Sequence, residues 1–206
     1  MGDVNTYGGD IVGRDKIIIN ITQGIGDLPT TYEGAVKNFL SYYLGSDAAP
    51  APFGGRDDDL QRLDDWLNDR TPYALLAAPA GRGKSALLVH WLSRLRTRTD
   101  IQTVFFPISI RYSTNRSTVA FASLAARLAH LHSEKVSRAN DAQEYRAVFN
   151  DYLARPLPNG KTLLIVLDAL DEAAGWETSA DLFPNPPRTG CACWSRHGCA
   201  RATLQA

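Results

Sequence analysis

A three-layer α/β domain with a parallel sheet is the fold class this sequence predicts, and three observations predict it. An apolar run from Tyr73 to Ala77 leads into Ala78-Pro79-Ala80-Gly81-Arg82-Gly83-Lys84-Ser85, which opens the helical pattern Ala86 to Leu95. A second apolar, β-branched run, Lys161 to Asp168, ends in a carboxylate, as a buried strand does at the ligand-facing edge of a parallel sheet. Between them, strand and helix patterns alternate, the rhythm of parallel strands joined by crossover helices.

In chain order, Gly8 to Thr22 is a separate segment, punctuated by glycines and carrying the β-prone run Ile17 to Ile21. It is too short to bury a face of its own. Two readings stand: an edge strand or disordered leader, and a self-pairing tag, since a flat exposed strand is a template for stacking of like chains. Leu28 to Leu44 has helical spacing, with Tyr32, Val36, Phe39, Leu40 and Tyr43 along one face. Ser46 to Pro52, rich in Ala and Pro, is a linker. Phe53-Gly54-Gly55-Arg56-Asp57-Asp58-Asp59-Leu60 then opens a helix whose apolar positions are Leu60, Leu63, Trp66 and Leu67.

Beyond the glycine-rich loop, Thr103 to Ile110 is expected as a core strand. Ser117 to His132 is expected as an amphipathic helix capped near Ser117, with Val119, Leu124, Leu128 and Leu131 inward. Asp141 to Ala154 is a second helix, ended by Pro156 and Pro158 before the Asp168 strand. His90, His130 and His132 fall within helices and are expected to pack or face solvent, not to ligate.

The chemistry follows from the loop. A strand, a glycine-rich turn and a helix in this order make a phosphate-binding loop. Glycines let backbone N–H groups turn around an anion, and the helix presents its positive end to the same charge. Lys84 supplies a mobile cation for the β/γ-phosphates, and the Ser85 hydroxyl is placed to ligate Mg²⁺. Ala78 stands where the motif has its first glycine, which costs little where φ is ordinary. Asp168 can hold the Mg²⁺ of a nucleotide through water, and Asp171 or Glu172, with Glu172 preferred, can orient or deprotonate an attacking water. A glycine loop without ligand and a strand followed by a solvated acidic turn are the plain alternatives. Each is weakened by the presence of the other feature.

Together these pieces resemble the STAND class of P-loop NTPases, in its NACHT-like and AP-ATPase-like branches. The resemblance covers Pro52 to about Ala173. In that class a Phe-x-Gly-Arg segment, here Phe53 to Arg56, lies near the base, which assigns Gly55 and Arg56 to its border. Asp168-Ala169-Leu170-Asp171-Glu172 is similar to the class's acidic strand end, and Phe105-Phe106-Pro107-Ile108-Ser109 to its second strand. The resemblance implies ATP or GTP with Mg²⁺ as ligands, slow hydrolysis that resets a signalling or defence protein, and a bacterial source. Similar Gly-Asp-apolar-apolar-Gly segments precede NTPase modules in bacterial signalling proteins.

From Pro187 the character changes, and all three cysteines lie here. Cys191, Cys193, His197 and Cys199 are soft ligands, but their spacing matches no standard zinc motif. Codons offer another account. Read one base earlier, the codons of Cys193 to Ser195 give Leu and Val, their upstream neighbours give apolar residues, and the end of His197 gives Arg or Trp. The shifted string resembles the next strand of a NACHT-like domain with its sensor arginine. A frameshift near Pro186 to Arg188 would leave the fold incomplete at its C-terminal side, with an open sheet edge beside the Asp168 or Leu76 strand and weak or absent turnover. A natural divergent tail is the alternative.

The expected organisation is therefore a self-association segment at 1–27, helix and linker at 28–52, the NTPase domain at 53–186 and an aberrant tail at 187–206. The chain has 206 residues, 44% of them hydrophobic, and 22 basic residues balance 22 acidic ones. That neutrality gives no reason to expect nucleic acid as a partner. No run is long enough for a membrane span, and the N-terminus lacks signal-peptide regions. Gly2 followed by Asp3 does not suit myristoylation. A cytoplasmic location is expected, without disulfides. Two rivals to a nucleotide switch remain: a non-catalytic interaction module that acts through the N-terminal segment, and a small-molecule kinase, for which no lid or acceptor motif is readable.

Overall fold

The computed structural model describes residues 30–46, 48–69, 73–136, 139–176, 182–183 and 200–205. The segment at 1–27 and the cysteines of the tail lie outside the described residues. The elements are α1 (Thr30–Leu44), α2 (Asp57–Asn68), β1 (Tyr73–Leu76), α3 (Lys84–Leu95), β2 (Ile101–Pro107), α4 (Ser117–Leu131), α5 (Ala142–Leu153), β3 (Thr162–Asp168), a single 3-10 turn (Leu170–Glu172) and β4 (Ala200–Gln205).

The sheet is parallel throughout, with order β1-β4-β3-β2. Alternation along β3 sorts the core into two layers, since successive side chains leave opposite faces of a strand. Leu163, Ile165 and Leu167 join Val104 and Phe106 of β2 under α4 and α5. Leu164 and Val166 join Phe105 under α1, α2 and α3. Both faces are covered, which is why β3 is apolar along its length until Asp168. Trp91, Phe105, Phe106 and Phe149 are among the largest fully buried side chains, and each contributes about 2–3 kcal/mol through the area it removes from water. The fold class matches the expected three-layer α/β P-loop arrangement, still incomplete, with four strands among the described residues and β1 and β2 at the two ends.

One expectation is corrected. The sheet does not stop short beside the Asp168 and Leu76 strands. β4 lies between them, pairing Tyr73 with Ala202 and Leu163 with Ala200. A gap between two parallel strands leaves both facing edges unpaired, and Ala200–Gln205 supplies the backbone groups that fill it. Among the described residues the outer sides of β1 and β2 are the sheet's edges, and on β1 Leu75 is 60% exposed.

Smaller differences have local causes. The second strand ends at Pro107 and not Ile110, because the buried Thr114 hydroxyl donates to the Pro107 carbonyl at 2.6 Å and accepts from Ser109 N–H at 3.0 Å, turning the chain. α4 starts at Ser117 without a side-chain cap, its entry held instead by a parallel bridge between Arg116 and Ala174. Asp141 caps α5 by accepting from Glu144 N–H at 2.9 Å. Arg127 on α4 is buried and donates to the Phe105 carbonyl of the end strand at 2.6 Å, and loss of hydration lowers its guanidinium to about 9. Trp91 of α3 donates to Asp64 of α2 at 2.8 Å, fixing the two helices. Among the described residues no helix is long and apolar enough to cross a membrane.

Candidate functional site

The site is built where β1 and β3 end, the edge at which open parallel sheets gather their ligands. After β1 the chain turns through Ala78 to Gly83 and enters α3 at Lys84. Gly83 is left-handed at φ 72° and forms the N-cap, and Gly81 is left-handed at φ 75°. Side-chain-bearing residues avoid this region, so both positions require glycine. Among the described residues positive φ occurs outside glycine only at Ser113, Ser133 and Ala169, so Ala78 replaces the motif's first glycine without left-handed strain. α3 has no acidic residue in its first turn, which leaves its positive end available to an anion. Gly83→Ala is expected to cost about 1–2 kcal/mol of stability, the penalty of a left-handed alanine, measured as a lowered urea midpoint.

Lys84 lies back along the loop. Its ammonium donates to the carbonyls of Ala78 at 2.6 Å and Pro79 at 3.4 Å. Arg56, from the turn before α2, reaches the same loop: its Nη1 donates to the Arg82 carbonyl at 2.8 Å, and its Nε pairs with Asp59 at 2.6 Å. A Cβ added to Gly83 would meet Arg56 Nη1 at 4.0 Å. Gly55 precedes it in a left-handed turn at φ 66°. Phe53 stacks on His90 of α3 with centroids 4.0 Å apart and planes 14° apart, so His90 is a packing residue. Loss of hydration lowers its pKa. The structure thus brings Phe53, Arg56 and the loop together, although they are far apart in sequence.

Asp168 ends β3 and is wholly buried. Neither carboxylate oxygen has a hydrogen-bond partner of ordinary geometry. Burial raises its pKa from 3.8 to about 6, and the nearby Ser85 hydroxyl and the Ala169 N–H offset only part of that, while the charges of Asp171 and Glu172 add to it. A buried carboxylate beside a serine hydroxyl is a donor set suited to a hard cation. Among the described residues no group of three or more His, Cys, Asp and Glu forms a metal cage. A Mg²⁺ held here would complete its shell with phosphate and water, as that ion does in nucleotide sites.

The remaining acids sit differently. Ala169 is left-handed at φ 60°, which throws the chain into the 3-10 turn. Asp171 faces solvent. Glu172 Oε2 accepts from the Ile110 N–H at 2.7 Å and so ties this turn to the loop after β2. Its carboxylate is occupied in this arrangement, which leaves the water-handling role assigned to it an expectation. Sequence reasoning missed Tyr43 of α1 as a residue near the site: burial raises its phenol pKa, the Ser85 hydroxyl offsets part of that, and the Asp168 charge adds to it. Helical periodicity marked Tyr43 only as a residue of the apolar face, which signals burial and not a site.

Among curated proteins none matches this chain. The family model described as AAA ATPase domain matches residues 52–190, which takes in Arg56, the glycine-rich loop, Asp168 and Glu172. A match over more than half the chain, laid on a parallel sheet with a phosphate-binding loop, makes the protein a member of the AAA ATPase domain family within the P-loop NTPases.

Proposed function

We propose that this chain is an ATP-binding, or GTP-binding, signalling switch of the STAND class, in which nucleotide binding and slow hydrolysis control self-association. The observation that supports it best is the joining of Arg56, Lys84, Ser85 and Asp168 around one loop. In this reading the loop N–H groups from Gly81 to Ser85 and the Lys84 ammonium hold the β/γ-phosphates. Lys84 exchanges two loop carbonyls for phosphate oxygens. Ser85 and Asp168 hold Mg²⁺, which neutralises charge on the phosphates when bound. Gly55 and Arg56 border the base. Ala78, Pro79, Ala80 and Arg82 shape the loop.

Glu172 or Asp171 orients the attacking water. The hydrogen bond from Ile110 N–H to Glu172 favours slow turnover, since the carboxylate must leave that N–H before it can orient a water. The same observation supports the second reading, a non-catalytic interaction module that binds nucleotide without cleaving it. In either case residues 53–186 are the nucleotide unit, 28–52 its N-terminal strap and 1–27 the self-pairing segment.

Static light scattering with and without Mg·ATP tests the switch. The expected result is a rise in mass with Mg·ATP for the full chain. Removing residues 1–27 should abolish that rise and leave ATP binding in place. A mass independent of nucleotide, with ATP bound, would refute the switch reading and retain the nucleotide site.

A further inference from the structure

Arg56 reaches the phosphate-binding loop from outside it, and does so from a fixed base. Its backbone is the N-cap of α2, and its carbonyl accepts from Leu60 N–H at 3.0 Å. α2 is in turn fastened to α3. Trp91 donates to Asp64 at 2.8 Å, Arg94 pairs with the same carboxylate at 3.3 Å, and the rings of Trp66 and Trp91 lie 6.3 Å apart. Just before α2, Phe53 stacks on His90 of α3. The guanidinium itself is held twice: Nε donates to Asp59 at 2.6 Å and Nη1 to the Arg82 carbonyl at 2.8 Å. Arg62 also approaches Asp59, at 3.6 Å, but its side chain is 80% exposed.

The carbonyl that Arg56 holds belongs to the peptide between Arg82 and Gly83. In a trans peptide the C=O and the N–H point in opposite directions, so whatever holds the Arg82 carbonyl also aims the Gly83 N–H. Two features leave that peptide loose. Glycine accepts either sign of φ, so the plane before Gly83 can turn over at small cost. The first turn of α3 has no side-chain cap to hold it. Lys84 gives up its contacts with Ala78 and Pro79 when its ammonium goes to phosphate. The Arg56 contact survives, because a carbonyl oxygen is no partner for an anion. We propose that Arg56 is a positioning residue for the phosphates: by holding the Arg82 carbonyl outward it keeps the Gly83 N–H turned into the loop for a phosphate oxygen, and Asp59 keeps the guanidinium in place. The charge of Arg56 contributes little directly, since Asp59 offsets it at contact distance. This inference rests on the nucleotide-binding reading and deepens it, giving the Arg56 side chain a duty at the phosphates that is separate from any contact with the base.

The test is calorimetry on the full chain with Mg·ATP and with Mg·tripolyphosphate, for the parent, Arg56→Lys and Asp59→Ala, together with the urea midpoint of each. Arg56→Lys keeps the charge and loses the fork, since a single ammonium cannot serve Asp59 and the Arg82 carbonyl in the same geometry. It is expected to weaken both ligands by the same factor, roughly fivefold, the worth of a charge-assisted hydrogen bond at a partly exposed site. Asp59→Ala is expected to weaken both roughly threefold, although it removes a negative charge beside the loop. Attraction by charge alone predicts the opposite sign. The urea midpoints should stay near that of the parent. Weaker Mg·ATP binding with tripolyphosphate unaffected would put Arg56 at the base and overturn the proposal. Tighter binding in Asp59→Ala, unchanged affinity in Arg56→Lys, or a loss seen only where the urea midpoint also falls would overturn it too. A parent chain that binds ATP but not tripolyphosphate would do the same, since loop geometry would then carry too little of the affinity. Failure of the parent to bind ATP at all would remove the nucleotide reading and this inference together, whereas the other outcomes leave that reading intact.

Discussion

Lys84→Ala is expected to weaken ATP binding about 100-fold, because a charge-assisted hydrogen bond to phosphate contributes up to about 3 kcal/mol and about 1.4 kcal/mol is a tenfold change. The structure explains why the loss falls on binding and not on the fold. Lys84 holds only loop carbonyls, Ala78 at 2.6 Å and Pro79 at 3.4 Å, and both lie beside solvent-accessible backbone. Freeing them to water costs about 1 kcal/mol at most. The loop's shape comes from Gly81 and Gly83, which the substitution leaves alone. Calorimetry should therefore show the large loss of affinity, while the urea midpoint stays near that of the parent chain. Unchanged affinity would remove the loop from the function.

The parts of this fold that were legible in the sequence are those in which one local pattern determines the outcome. The β3 run is apolar on both faces and could only be a covered strand. The helices at α2, α3 and α5 begin where acidic, glycine or aspartate signals stood, within a residue or two. The glycine-rich loop was legible because only glycine accepts the backbone angles of Gly81 and Gly83. What was not legible depends on partners distant in the chain. Nothing near Arg127 says that an arginine in an apolar helix will answer a strand carbonyl. Thr114 ends β2 through a contact seven residues back. Glu172 looked free in sequence, yet a backbone N–H 62 residues away holds it. The place of β4 is a matter of sheet order, which a six-residue strand of ordinary composition does not encode. For the site, the loop and its carboxylate were readable. Tyr43 was not, since a tyrosine that only packs and a tyrosine near the loop have the same periodicity.

Asp168→Asn is expected to stabilise the protein without nucleotide and to abolish its response to Mg²⁺, two opposite effects from one atom. At neutral pH the folded chain keeps a charge that its surroundings disfavour, with the pKa raised from 3.8 to about 6. A shift of about two units corresponds to about 3 kcal/mol of lost stability at pH 7. The raised native pKa gives the sign: the favourable proton is held in full below about pH 4, and stability falls as pH rises from there through 6. Asparagine keeps the shape and removes the charge. Its buried amide needs a partner for its N–H₂, which takes back about 1–2 kcal/mol and leaves a net gain of about 1–2 kcal/mol. Thermal unfolding at pH 7 should rise by about 2–4 °C for each kcal/mol gained, and the fall in stability between pH 4 and 6 should flatten. With Mg·ATP the order should invert, since the parent chain gains from the cation and the variant does not. A parent chain that already exceeds Asp168→Asn without ligand would mean that the buried carboxylate has a partner in solution and is not held ready for a cation.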